Sequence, residues 1–245
     1  MISRYRLNIW RQEKGFTIVE LMIATLVFSV ILLVAAGTVV RFTSNFQKGV
    51  TQTATQNAAR STVDLISQQL QFIGDGNGFS KLSLPSGGIT KGYCIQGTQY
   101  SYILGRELQD QVPYVLVEKR GTGDNCTGQP QDLLSGSVSG SELLSPHMRL
   151  AKFTVINDAD PNDAADGSNN PLLYKINIKV VYGDDDLLCV SGVTDGSARD
   201  CSSGQPLANV SSLSESDLGK LQCKTQRGSQ FCAVSELSTT VQRRV

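Results

Sequence analysis

From Phe16 to Val40 the chain carries one charged side chain, Glu20, and no proline. As an α-helix this stretch would extend about 38 Å, more than the roughly 30 Å hydrocarbon core of a bilayer. A buried core helix is excluded by supply, because nothing else in the chain could cover so long an apolar surface on every side. The basic residues stand ahead of the run. Arg4, Arg6, Arg11 and Lys14 against Glu13 give positions 1–15 a charge of +3. With 22 basic and 22 acidic side chains in all, positions 16–245 hold 18 and 21, or −3. Only Arg41 and Lys48 follow closely, so the positive-inside rule puts the N-terminus in the cytoplasm and the bulk of the chain outside.

Two ordinary fates compete for such a segment. A secretory signal would be cut after Ala36, where Val34-Ala35-Ala36 supplies the small residues the peptidase prefers. An uncleaved anchor would simply stay in the membrane. Neither accounts for Glu20. An ionised carboxylate costs about 2.5 kcal/mol or more at the centre of a membrane helix and somewhat less near its end, so it requires a cation nearby.

Lys14-Gly15-Phe16-Thr17-Ile18-Val19-Glu20-Leu21-Met22 resembles the processing and methylation signature of class III signal peptides. That signature is found on type IV pilins and type II secretion pseudopilins. It combines a short basic leader, glycine before the cut, phenylalanine after it, glutamate at the fifth position of the mature chain and an immediate apolar run. The resemblance implies cleavage by prepilin peptidase between Gly15 and Phe16, methylation of the new Phe16 amine, and retention of the apolar helix. It also implies a physical role for Glu20. Packing such helices side by side in a filament removes the new amine and the carboxylate from water together. A buried charge left without its partner costs on the order of 3 to 5 kcal/mol, so pairing favours one axial stagger between neighbouring subunits.

The helical pattern continues past the membrane segment. Phe42, Phe46, Val50, Ala54 and Ala58 recur at four-residue steps, followed by Val63, Ile66, Leu70 and Ile73 at three and four, as one buried stripe. The break at Gly74-Asp75-Gly76-Asn77-Gly78 ends it. One helix is therefore expected from Phe16 to Ile73, with residues 16–40 as membrane anchor and filament core, 41–73 as an amphipathic continuation, 1–15 as leader and 74–245 as a β-rich head. Gly37 stands at the depth in the mature chain where many major pilins carry proline. Glycine there costs about 1 kcal/mol relative to alanine. It serves either local loosening on assembly or close helix packing through small residues.

After Gly78 short alternating runs take over. Ile176, Ile178 and Val180 alternate with Lys175, Asn177 and Lys179 as a half-buried strand, and residues 150–156 form another. Residues 114–119, 92–96 and 100–104 are weaker candidates, and 231–243 supplies one or two more. A long helix packed on one antiparallel sheet is an α+β arrangement, in agreement with the pilin fold the signature implies. The run Ala59-Arg60-Ser61-Thr62-Val63-Asp64-Leu65-Ile66-Ser67-Gln68-Gln69-Leu70 before the Gly-rich break and the ending Leu237-Ser238-Thr239-Thr240-Val241-Gln242-Arg243-Arg244 are similar to minor pilins of the PilW and PulJ type. Glu20 argues against the tip pseudopilin, which usually lacks it. The partners implied are other pilin subunits, prepilin peptidase, the inner-membrane assembly platform and the membrane itself.

Six cysteines, Cys94, Cys126, Cys189, Cys201, Cys223 and Cys232, all lie on the exported side, where an even count favours disulfides. Six allow 15 connectivities. Pairing sequence neighbours, 94 with 126, 189 with 201 and 223 with 232, is preferred because each bond then closes a short exposed loop. Residues 183–230 read as a long Ser-, Gly- and Asp-rich insertion stapled by its cysteines, or as an exposed binding face.

Other chemistry finds little support. Zinc lacks any CxxC spacing, and His147 is the only histidine. Asp158, Asp160 and Asn162 begin like an EF-hand loop, but Asp163 replaces its glycine and Asn169 its glutamate. Gly136-Ser137-Val138-Ser139-Gly140 puts valine where a nucleophile elbow needs serine, and no P-loop occurs. The zero net charge offers no basic footprint for nucleic acid. A structural subunit, without catalysis and without a cofactor, is the expectation.

Overall fold

The computed structural model describes residues 15–73, 78–84, 88–111, 113–121, 126, 128–135, 138–157, 173–225 and 228–244. The leader before Gly15, the Gly74–Asn77 break, Gly136 and Ser137, and the acidic run at 158–169 with its calcium pattern lie outside the described residues. Contacts divide the chain into two compact units, Met1–Ser44 and Asn45–Val245. Helix α1, Ile18–Gln71, supplies all but Gly15–Thr17 of the described part of the first unit, and the opening of the second.

The helix is two residues shorter at each end than its hydrophobic pattern. At the start Thr17 stands outside it as a cap. At the finish Phe72 and Ile73 donate their N–H groups to Gln69 O and Leu70 O at 3.2 and 3.4 Å, the tightened spacing of a final 3-10 turn. Its buried residues are Thr55, Ala59, Thr62, Val63, Ile66 and Leu70. The expected stripe through Phe42, Phe46, Val50, Ala54 and Ala58 is thereby corrected. A step of four residues overshoots a turn by about 40°, so four such steps carry the row about 160° around the helix. Val50 is accordingly exposed, and Ala54 with it. Thr55 and Thr62 tolerate burial because each hydroxyl donates to a carbonyl one turn back, Thr51 O at 2.7 Å and Ala58 O at 2.9 Å.

The strands form three antiparallel sheets where one was expected. The first holds β1 Phe79–Ser83, β2 Lys91–Ile95, β3 Thr98–Tyr102, β4 Leu116–Lys119 and β5 Ser141–Glu142 in sequence order. The second holds β6 Met148–Asn157, β7 Leu173–Tyr182 and, beyond β9, β10 Ala233–Gln242, in the order β10-β7-β6. The third pairs β8 Leu188–Val190 with β9 Leu221–Cys223.

The main core lies where α1 meets the first two sheets. Ala59, Val63, Ile66, Leu70 and Ile73 pack with Tyr93, Tyr100, Tyr102, Phe153, Ile176, Ile178 and Val180. Gln69 fixes the helix to β3 by accepting from the Tyr100 hydroxyl at 3.0 Å and donating to Thr98 Oγ1 at 3.3 Å. A bulge in β6 between Leu150 and Lys152 adds one residue, Ala151, to that strand. Before it the core residues are Met148 and Leu150, after it Phe153 and Val155, so the bulge shifts the alternation by one and keeps both pairs on the core.

Ala151 itself turns to a second core. There it joins Val181 of β7 with Leu188, Val190, Leu207, Val210, Leu218, Leu221 and Cys232. The described residues of this insertion, 183–225 and 228–230, thus form a lobe with an apolar interior, 3-10 turns and a short helix α2, Glu215–Leu218, which corrects the reading as an insertion held by its cysteines alone. The lobe covers one end of the β7 face that alternation left to solvent. Lys179 is 7% exposed there and donates to Gly219 O at 2.9 Å. At the junction Gly183 adopts φ +125°, and a Cβ on it would stand 3.0 Å from Phe231 O.

Three disulfides join Cys94 to Cys126, Cys189 to Cys201 and Cys223 to Cys232, the neighbour set preferred above. The second and third close short surface segments as expected, with sequence separations of 12 and 9, whereas the first does not. Cys94 and Cys126 are 2% exposed or less and the segment between them contains β3 and β4, so this bond is a core element and not the staple of an exposed loop.

Candidate functional site

Gly15, Phe16 and Thr17 lead into α1 from outside the helix, with Phe16 84% exposed. Thr17-Ile18-Val19-Glu20 then makes a capping box. The Glu20 N–H donates to Thr17 Oγ1 at 3.2 Å, while Glu20 Oε2 accepts from the Thr17 N–H at 3.1 Å and its hydroxyl at 3.0 Å. Two backbone donors at the helix start are satisfied by side chains one turn apart. The carboxylate also sits at the positive end of the helix dipole. Among the described residues it has no ion-pair partner. Thr-x-x-Glu was visible in the sequence as the capping pattern, and the emphasis on the glutamate's charge hid it.

The rest of the apolar run is internally satisfied. The hydroxyls of Thr25, Ser29 and Thr38 donate to Met22 O at 3.0 Å, Thr25 O at 2.7 Å and Ala35 O at 2.8 Å. No hydroxyl among these three needs water, which is what a hydrocarbon environment demands of a spanning helix. Every described residue from Gly15 to Thr43 is exposed, and the helix is long and apolar enough to cross a membrane. It passes through Gly37 without a break, and a Cβ there would meet nothing within 4 Å.

In the head, a buried charge network escaped the sequence reading. Arg149 of β6 is 1% exposed, and its guanidinium donates to Glu107 Oε2 at 2.8 Å, to Gly183 O at 2.7 Å and to Asp185. It thereby ties β6 to the start of the 183–230 lobe. Glu107 Oε1 faces His147 Nδ1 at 3.1 Å, and the ligand-type atoms of Glu107, His147 and Asp184 lie within 4.8 Å of one another. A cation held by these three would face the Arg149 guanidinium across Glu107, an arrangement that favours a structural ion-pair lock. The three stand far apart along the chain, which concealed the grouping.

The structure brings Gly15, Phe16 and Glu20 together at one helix end, places Gly37 on the same helix and puts the six cysteines in the head. Residues 10–36 match the family described as the prokaryotic N-terminal methylation motif. No curated protein and no solved structure matches the chain. The matched span contains the glycine–phenylalanine junction, the capping box and most of the apolar run. It supports a type IV pilin-like or pseudopilin precursor, a class whose members are structural.

Proposed function

We propose that the chain is a prepilin that becomes a filament subunit. Prepilin peptidase cuts between Gly15 and Phe16 on the cytoplasmic face, and the Phe16 amine is methylated. The helix then holds the subunit in the inner membrane until the assembly platform moves it into a filament beside other subunits. The observation that carries this reading is the methylation motif at 10–36 falling on an exposed apolar run whose single carboxylate, Glu20, has no ion-pair partner among the described residues. In the filament, the terminal amine of a neighbouring subunit is that partner. N-terminal sequencing and mass measurement of the native protein test it: the product begins at methylated Phe16. A product beginning at Gly37 would belong to an ordinary secretory protein.

Within that class the reading is a minor type IV pilin engaged in assembly or tip display. Beyond the sheets that pack on α1 the head carries a second lobe with an apolar interior, more than a bulk building block requires. Copy number in purified filaments checks this, and an abundant subunit would overturn it.

A further inference from the structure

A groove of about 490 Å³ in the head is walled by β1, β2, β6 and the α2 turn. Four lysines reach it from four different elements: Lys81, Lys91, Lys152 and Lys220. The one acidic residue lining it is Glu215, which pairs with Lys91. Four against one leaves +3 along a single cleft of a chain whose net charge is zero. Glu236, which does not line the groove, lies 3.7 Å from Lys152 and relieves part of this. Lys81 and Lys220 have no ion-pair partner among the described residues. The crowding is felt locally, since burial and then the nearby Lys81 charge lower the Lys91 ammonium's pKa. Like charges held together without counter-charge cost stability, and an anion that enters the cleft removes that cost.

We propose that this groove binds a short anionic oligosaccharide carrying sulfate or carboxylate groups. Lysines act as compact, hydrated point charges that suit scattered oxyanions, and Thr154 and Ser216 add hydroxyls for sugar hydroxyl groups. The alternative polyanion, a single-stranded nucleic acid, is disfavoured by the floor. Tyr93, Tyr102 and Phe153 line the groove but are each 3% exposed or less, so their ring faces are committed to the core and offer no platform for base stacking. This inference is independent of the filament reading.

The test uses the full chain in neutral detergent micelles, titrated with a sulfated tetrasaccharide, its desulfated counterpart and a single-stranded oligothymidylate. The sulfated sugar binds, and its affinity falls as salt rises. The double variant Lys81→Gln/Lys220→Gln weakens binding by about tenfold or more, whereas Lys119→Gln/Lys175→Gln, with the same loss of charge elsewhere on the head, leaves it within about twofold. Equal weakening by both double variants, no sulfated-sugar binding, or tighter binding of the oligothymidylate would each overturn the proposal.

Discussion

Glu20 caps its own helix, and on the filament reading proposed above the same carboxylate answers a neighbour's terminal amine; the two ends are separable by substitution. The amide introduced by Glu20→Gln would keep the reciprocal bonds with Thr17, because a capping box accepts glutamine in place of glutamate, but it carries no charge. Alanine loses both. Glu20→Gln is therefore expected to keep amide-exchange protection across residues 18–22 near the wild-type level while entering filaments as poorly as Glu20→Ala. Thr17→Ala should weaken the helix start by about 1 kcal/mol and leave the charge in place. Filament incorporation of Glu20→Gln at wild-type levels would mean that the carboxylate matters only as a cap. A second carboxylate, Glu142, is set by its surroundings in the opposite sense to an ordinary surface group. Burial raises its pKa even though it accepts from the N–H groups of Val115, Leu116 and Leu144. The native state then holds this proton more tightly than the unfolded chain does. Stability is lost as pH rises from the ordinary carboxylate range, about 4.3, through the higher folded value. Urea midpoints of wild type and Glu142→Gln compared across that window should show the wild type falling relative to the variant as pH rises.

At the level of elements, α1 changes character along its length, from wholly exposed before Ser44 to one buried stripe between Thr55 and Leu70. Ile66→Ala, deep in the main core, should cost roughly 2 to 5 kcal/mol of head stability by urea titration in micelles. Val50→Ala, on the exposed row, should cost under about 1 kcal/mol. Equal costs would restore the four-residue stripe the sequence invites. What could be read in advance follows from periodicity and its limits. β6 and β7 were legible because ten-residue strands give alternation room to repeat, and α1 because its apolar run and its distal stripe are long. β8 and β9 are three residues each, too short for any period, and their burial is supplied by Ala151 and Val181 from another sheet. The Ala151 bulge breaks alternation inside a strand that otherwise shows it. Lys179 reads as a solvent residue until the lobe closes over it. Of the candidate site, Gly15, Phe16 and Glu20 were legible as a contiguous motif, whereas the lysine groove joins side chains as distant in sequence as Lys81 and Lys220, and no local pattern encodes it.

For the whole molecule, the division at Ser44 marks a change of exposed surface as well as of contacts. The segment before it exposes Leu26, Leu33 and Val40 at 66, 74 and 67%, surface that is stable only in lipid or against other helices. The segment after it contains both large cores, all three disulfides and the part of α1 whose stripe is buried. If folding information is partitioned in the same way, residues 45–245 exported alone into an oxidising compartment should fold without detergent. The expected product is a monomer with no free thiol, and its melting temperature should lie within about 5 °C of the full chain in micelles, a difference of roughly 1 to 2 kcal/mol for a domain of this size. Sedimentation and calorimetry measure both. The same fragment should bind the sulfated sugar yet never enter filaments, because it lacks both the terminal amine and the carboxylate whose pairing the filament reading proposes. An insoluble fragment would show instead that the apolar segment, and whatever packs on it, contributes to folding of the head, and the boundary at Ser44 would then be one of contacts alone.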